Sequence, residues 1–290
     1  MPEGIIGKGI GGFYYVYYND LIIECKIRGI FRNKKITPIV GDNVVFEMVS
    51  ESKGIINQIL ERKNSISRPS VTNVDQVILV FSIIHPEPNM LFIDKMITFL
   101  ESKGIEVIIC INKIDLDNDE NYREIFKIYS NVGYRVLTLS AKKHIGLDKL
   151  KVVLDKKISS LAGASGVGKS TILNAILDIN VQTGDLSKKI ERGKHTTRHV
   201  ELFKVNGGYI LDTPGFSTFE LDKIDKDSLK NYFREFINYY NTCRFKGCNH
   251  INEPDCRVKQ AVLDGNIDSG RYDRYKTIYN ELDVIKKYKK

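Results

Sequence analysis

The hydrophobic rhythm of the chain changes twice. Over about residues 1–65, apolar positions fall in short runs bounded by glycine, asparagine and aspartate, with no helical period. The run Phe13-Tyr14-Tyr15-Val16-Tyr17-Tyr18 and residues 21–27 predict two strands parted by an Asn19-Asp20 turn, and residues 44–49 and 54–60 predict two more. Short strands without helices suit a small closed barrel, and an OB-fold is expected, with an SH3-like barrel as the rival on pattern alone. At Asn73 the texture shifts. Residues 74–84 are almost continuously apolar, as a strand buried on both faces of a parallel sheet must be. Residues 105–111, 136–139 and 158–162 repeat that theme, while Leu91, Phe92, Met96, Phe99 and Leu100 share one helical stripe that Gly104 ends. Strands alternating with helices imply βαβ units. Asn206-Gly207 then joins residues 200–205 to 209–211 as a hairpin. Beyond about residue 219 the chain turns helical, basic and tyrosine-rich, ending in Tyr279, Lys286, Lys287, Tyr288, Lys289 and Lys290. The expected fold class is α/β, with domains at 1–65, 66–219 and 220–290.

Composition narrows the class without deciding it. With 290 residues, 42% hydrophobic and 28% charged, the chain can bury a sizeable core and is not a disordered polymer. No apolar run approaches the roughly 18 residues that a membrane span needs, and Met1-Pro2-Glu3-Gly4 does not open a signal peptide. A cytoplasmic protein without a membrane partner is expected. The formal charge of +8 permits a nucleic-acid partner. Five cysteines in such a setting favour metal binding or burial over disulfides, and Cys25 and Cys110, inside predicted strands, are expected in the core.

The chemistry lies in four motifs whose order is unusual. Gly163-Ala164-Ser165-Gly166-Val167-Gly168-Lys169-Ser170 fits a Walker A loop between an apolar strand and a helix starting near Ser170-Thr171. Glycines let backbone N–H groups face phosphates, and the helix adds its positive end. Lys169 is expected to reach the β- and γ-phosphates and Ser170 to ligate Mg²⁺. Asp212-Thr213-Pro214-Gly215 ends a strand, where Asp212 can serve the Mg²⁺ shell and the Gly215 N–H can meet the γ-phosphate. Between them, in Gly193-Lys194-His195-Thr196-Thr197-Arg198-His199, Thr197 is the expected magnesium ligand, with Thr196 the alternative. Asn112-Lys113-Ile114-Asp115 follows a buried strand. A carboxylate at Asp115 can accept from both guanine N1–H and its 2-amino group, donors that adenine lacks, and such a site can discriminate by roughly 10⁴. Ser140-Ala141-Lys142 is placed to support the guanine carbonyl. In the Ras-like class the phosphate loop comes first and the base motifs last; here the base motifs precede it. Phe216 stands where Ras has the water-positioning glutamine, so intrinsic GTP hydrolysis should be slow, with His195 the internal candidate for orienting water.

Cys243, Cys248, His250 and Cys256 offer three thiolates and an imidazole within one short segment, a donor set suited to one closed, structural Zn²⁺. Taken together, the barrel, the permuted motifs, Gly-Ala-Ser-Gly-Val-Gly-Lys-Ser-Thr, Asp-Thr-Pro-Gly-Phe and the Cys/Cys/His/Cys loop resemble the family of ribosome small-subunit-dependent GTPases (RsgA, also called YjeQ) over essentially the whole chain. The resemblance implies an OB-fold barrel, a circularly permuted P-loop GTPase domain and a C-terminal helical zinc-binding domain. It implies a slow, subunit-stimulated GTPase that binds the small ribosomal subunit and its rRNA during late maturation and is associated with release of another assembly factor. Guanine contacts then fall on Asn112, Lys113, Ile114 and Asp115, and phosphate contacts on residues 163–171, with a monomer working on GTP/GDP. Family members commonly carry longer basic tails, so RNA contact is sought instead at Arg28, Arg32, Lys34 and Lys35 in the barrel and at the basic C-terminus. The alternative is a GTP-dependent RNA-binding module in which hydrolysis is secondary.

Overall fold

A computed structural model describes residues 1–29, 37–181, 200–212 and 221–288. Strands β1 (Glu3–Ile10), β2 (Phe13–Tyr18), β3 (Leu21–Ile27), β4 (Asn43–Ser50) and β5 (Lys53–Ile59) neighbour one another in the order β1-β2-β3-β5-β4, and β4 returns to β1 at Gly4↔Val44. The β3–β5 pairing is parallel and the rest are antiparallel. That closed five-strand order is OB-like. Its core is Ile6, Val16, Ile23, Cys25, Val44, Phe46 and Ile56.

The sequence pattern missed β1, because three glycines interrupt its alternation. Close packing requires two of them, Gly4 and Gly7. A Cβ on Gly7 would lie 2.2 Å from the Tyr17 ring, and one on Gly4 would lie 2.5 Å from Val16 Cγ1. The Tyr17 and Val16 side chains of β2 therefore lie across its paired neighbour β1. A small hairpin, β6 (Ser65–Ile66) and β7 (Val71–Thr72), seals the barrel where the chain leaves it. Val71 bridges to Val40, Asn73 Nδ2 donates to the Gly41 carbonyl at 2.9 Å, and buried Asp42 accepts both Arg62 Nε and Nη2, at 2.7 and 2.9 Å.

The central sheet contains β8 (Gln76–Ser82), β9 (Glu106–Asn112), β10 (Arg135–Thr138), β11 (Ile158–Ala162), β12 (Glu201–Val205) and β13 (Gly208–Asp212), in the order β10-β9-β8-β11-β13-β12. All its pairings are parallel except the β12–β13 hairpin. Helices α1 (Met90–Ser102) and α2 (Tyr122–Asn131) cover one face; α3 (Leu147–Leu154) and α4 (Lys169–Val181) cover the other. The alternation of a strand divides β8 between them. Val77, Leu79 and Phe81 pack toward α1, while Ile78 and Val80 pack toward α3 and α4. Cys110 joins the second cluster, so both strand cysteines are core residues as expected.

The barrel meets the sheet at its β12 edge. β1 pairs with β12 at Lys8↔Glu201, the same two side chains form an ion pair at 2.8 Å, and Tyr17 Oη donates to the Leu202 carbonyl at 2.8 Å. The C-terminal segment docks on the far side. After turns at Leu221–Lys223, Lys226–Tyr232 and Arg234–Phe236 come α5 (Ile237–Tyr240), α6 (Arg257–Leu263) and α7 (Ser269–Tyr288). Phe233, Phe236, Tyr275 and Leu282 share one core with Ile93, Met96, Ile97 and Leu100 of α1. Asp94 of α1 sits at the centre of that contact, accepting from Tyr129 Oη at 2.8 Å and from Arg271 Nη1 at 2.5 Å and pairing with Arg274. Glu235 accepts the remaining edge of Arg271, with Nη2 at 3.1 Å. No described helix is long and apolar enough to cross a membrane.

Gly41, at φ +92°, is the tightest joint between barrel and hairpin, since a Cβ there would stand 2.1 Å from the Thr72 carbonyl oxygen. Gly41→Ala combines left-handed strain with overpacking and should cost at least about 2 kcal/mol. Equilibrium denaturation in urea checks this, with the barrel's exchange protection lost first.

Candidate functional site

The parallel strands all end on one edge of the sheet, and the motifs sit at those ends, as ligand sites in open α/β sheets do. β11 runs into the phosphate loop, β9 ends in Asn112, β10 leads into Ser140-Ala141-Lys142, and β13 ends at Asp212. In the phosphate loop, Gly163, Gly166 and Gly168 have φ of +138°, +81° and +96°, values costly for any residue with a side chain. Sterics add a second constraint. A Cβ on Gly163 would meet the Val80 carbonyl oxygen at 2.0 Å, and one on Gly168 would meet Asn112 Nδ2 at 2.3 Å. The loop is thus held between the ends of β8 and β9. Lys169 opens α4 and turns its ammonium back over the loop, donating to the carbonyls of Gly163 and Ala164 at 2.8 and 2.6 Å. Partial burial lowers its pKa, which makes a phosphate the natural partner for its charge. Ser170 and Thr171 are exposed at the start of the helix, on the open side of the loop.

Asn112 is the clasp of this edge. Its side chain is buried; Nδ2 donates to the Val167 carbonyl at 2.9 Å, and Oδ1 accepts from the Ala141 N–H at 3.1 Å. One amide therefore fixes the phosphate loop against the Ser140-Ala141-Lys142 loop. Lys113, in the left-handed region, donates to the Gly166 carbonyl at 2.8 Å and to the His85 carbonyl. Ile114 packs against the core on the α1 face and turns Asp115 outward in a short 3₁₀ turn. Asp115 is half-buried, and its carboxylate has no partner among the described residues. The Ser140 loop is closed by reciprocal backbone bonds with Ile145, at 3.1 and 3.0 Å, and buried Ser140 accepts from the Lys143 N–H. The loop following β8 was not foreseen as part of this rim, yet Pro86 lies 3.7 Å from where a Gly166 Cβ would be. His195, Thr196, Thr197, Gly215 and Phe216, and Arg32, Lys34 and Lys35 in the barrel, lie outside the described residues. Arg28 is described, exposed and paired with Glu47 at 3.4 Å.

The second site is compact. The ligand atoms of Cys243, Cys248, His250 and Cys256 lie within 4.8 Å of one another. Cys243 Sγ stands 4.0 Å from Cys256 Sγ and 3.7 Å from His250 Nδ1, and His250 Nδ1 stands 3.3 Å from Cys256 Sγ. Metal–ligand distances of about 2.3 Å to sulfur and 2.0 Å to nitrogen in a tetrahedron give edges of roughly 3.5–3.8 Å, so the cluster fits zinc. Burial and neighbouring thiols push Cys248 up to about 12, and burial holds His250 down at about 4. Without a cation these groups prefer to be neutral; a divalent cation would stabilise the thiolates. The loop is braced from outside by groups the motif search missed. Glu253 accepts from the Asn249 and Ile251 N–H groups at 2.6 and 3.0 Å. Tyr272 and Tyr275 of α7 donate to the carbonyls of His250 and Asn249 at 2.7 and 2.6 Å, and Lys230 donates to that of Cys248 at 3.0 Å.

A Walker loop preceded in the chain by the base motifs, yet rejoined with them on one sheet edge, defines a circularly permuted GTPase with a barrel at one end and, at the other, a segment whose Cys/His cluster could hold a metal ion. Residues 59–222 match the family model described as RsgA GTPase, and residues 3–56 match the RsgA N-terminal domain. The chain belongs to the RsgA GTPase family. Two relatives named small ribosomal subunit biogenesis GTPase RsgA illustrate the match. That of Caldanaerobacter subterraneus subsp. tengcongensis is 48% identical over 97% of this chain and 95% of its own. That of Geobacillus kaustophilus is 48% identical over 97% and 98%. Among solved structures, YloQ, a circularly permuted GTPase, superposes with a TM-score of 0.86 at 39% identity, covering 98% of this chain and 96% of that one. YjeQ from Thermotoga maritima gives 0.85 at 38%, covering 97% and 98%.

Asn112→Ala should leave the Val167 carbonyl and the Ala141 N–H without partners, at about 1–3 kcal/mol each. Titration with a fluorescent guanine nucleotide should show at least tenfold weaker binding, accompanied by a lower melting temperature.

Proposed function

We propose that this chain hydrolyses GTP as a checkpoint on maturation of the small ribosomal subunit, and that the edge built around Asn112 is its nucleotide site. The observation that carries the site is that single clasp, with the Asp115 carboxylate, which has no partner among the described residues, beside it. Guanine would lie over Lys113, with Asp115 accepting N1–H and the 2-amino group and a backbone N–H of the Ser140-Ala141-Lys142 loop meeting the carbonyl. The phosphates would be cradled by backbone N–H groups of residues 163–171 and by Lys169, which would leave its present carbonyl partners for the phosphate oxygens. Mg²⁺ would be held by Ser170 and Thr197, with Asp212 behind it. The metal neutralises charge on the phosphates, while this chain's own groups orient them. Phe216 cannot polarise water, so hydrolysis should be slow alone, with His195 or a partner supplying the missing group. The Cys/His loop would hold one Zn²⁺ structurally through Cys243, Cys248, His250 and Cys256. The relatives' names point to the small subunit. Contact with its rRNA by barrel and C-terminal segment, action as a monomer and release of another assembly factor complete the proposal.

Asp115→Ala should weaken GTP binding by about 10² or more while leaving ATP binding as poor as before, since guanine discrimination rests on the lost carboxylate. Competition binding with both nucleotides measures it, and equal loss for both would show a structural role instead. The functional reading is tested by measuring GTP turnover alone, with purified small subunits and with large subunits. Stimulation by small subunits is expected, and stimulation confined to large subunits overturns the reading.

A further inference from the structure

The sequence Arg271-Tyr272-Asp273-Arg274-Tyr275 repeats an arginine–tyrosine pair at a spacing of three. On a helix, residues three apart lie on the same side, so the two arginines share one face of α7 and the two tyrosines another. The structure puts those faces to different uses. Arg271 and Arg274 both pair with Asp94 of α1, a carboxylate with no exposed side-chain surface. Tyr272 and Tyr275 both donate to consecutive carbonyls, His250 and Asn249, inside the Cys/His loop. The ring of Phe236 ties the two contacts together from the side, 4.9 Å from Tyr275 and 5.6 Å from the His250 ring. One helical turn therefore carries both the dock onto the central domain and the brace of the metal loop.

We propose that metal binding in the Cys/His loop and docking of the C-terminal segment on α1 are a single coupled equilibrium transmitted by α7. In it, Tyr272 and Tyr275 are positioning residues for the metal, and Asp94, which ligates nothing, sets metal affinity from the other domain. The inference rests on the reading of the loop as a zinc site. Neither contact tolerates half-measures. A guanidinium and a carboxylate buried together must keep their geometry or lose their charge compensation, which fixes the rotation and height of α7. With α7 fixed, two hydroxyls stand where the loop carbonyls must be for the four ligand atoms to converge. Conversely, a loop closed on a cation holds both tyrosines, and through them both arginines, against Asp94. Linkage requires the two effects to be equal in size.

The test uses the full chain. Zinc affinity is measured by competition with a chromogenic chelator for the wild type, Asp94→Asn, Tyr275→Phe and Val153→Ala, the last a core variant in α3 on the opposite face. Asp94→Asn and Tyr275→Phe should each lose roughly tenfold in zinc affinity, within the range of ordinary site–site coupling. Val153→Ala should lose none despite lower stability. Equal affinities in folded Asp94→Asn and wild type overturn the coupling, whereas a wild type that binds no zinc overturns the metal reading itself. If Asp94→Asn does not fold, the reciprocal measurement on the wild type decides. Stripping zinc should raise amide exchange in α1 and leave α3 unchanged; exchange in α1 indifferent to zinc overturns the proposal.

Discussion

The buried carboxylate of Asp94 is the constraint around which the larger half of this molecule is arranged. A charge with no exposed surface is costly unless compensated, and here compensation comes from another domain, through Arg271, Arg274 and the hydroxyl of Tyr129. Arg271, itself 1% exposed, needs Glu235 as well. The charged groups form one network of alternating sign, and removing Arg271 would leave the buried Asp94 and Glu235 carboxylates short of compensation. The aromatic packing of Phe233, Phe236 and Tyr275 supplies the non-directional part of the contact. The ions supply direction and fix where α7 lies on α1.

Permutation gives this arrangement its meaning. The sheet order β10-β9-β8-β11-β13-β12 keeps the phosphate strand β11 between β8 and β13, so the nucleotide edge is assembled whatever the order in which the chain visits it. What permutation moves is the position of the chain ends. The central domain is now entered at β8 and left at β13, and the two appendages are attached there. They also touch it at different places. The barrel touches β12, and the metal segment touches α1 and α2.

How much of this could be read from the sequence follows from the kind of signal each feature leaves. Local rules sufficed where the chain obeys a period or a motif. The buried strands were legible because a strand covered on both faces must be apolar throughout. The hairpin at Asn206-Gly207 was legible because two left-handed residues in succession demand those types. β1 was missed because its glycines, required by the packing of Tyr17 and Val16, erase the very alternation that marks a strand. Within the site, glycines, Lys169, Asn112 and the cysteines announce themselves by spacing. The groups that brace them do not. Lys230, Glu253 and Tyr275 act through backbone carbonyls and N–H groups, which every residue has, so no motif records the contact. The Arg-Tyr repeat at 271–275 was a usable signal, since period three with two chemistries implies two partners, but only the fold shows which.

The nucleotide edge is joined to the C-terminal segment and to the barrel in two different ways. Lys113 bonds both Gly166 of the phosphate loop and His85, and His85 lies in the loop that leads from β8 into α1. Lys113 thus ties the phosphate loop to the segment that leads into α1, where Asp94 lies one turn in. The barrel's route is of another kind. It meets the domain through the pairing of β1 with β12 at Lys8 and Glu201, the bond from Tyr17, an ion pair between Asp20 and Lys204, and an apolar cluster that Ile5 and Tyr17 share with Leu202 and Leu211. Its ion pairs are partly open to solvent and contribute little, whereas the buried network at Asp94 cannot be opened cheaply. The C-terminal segment is thus fixed in direction by buried ions, and the barrel by strand pairing and apolar packing.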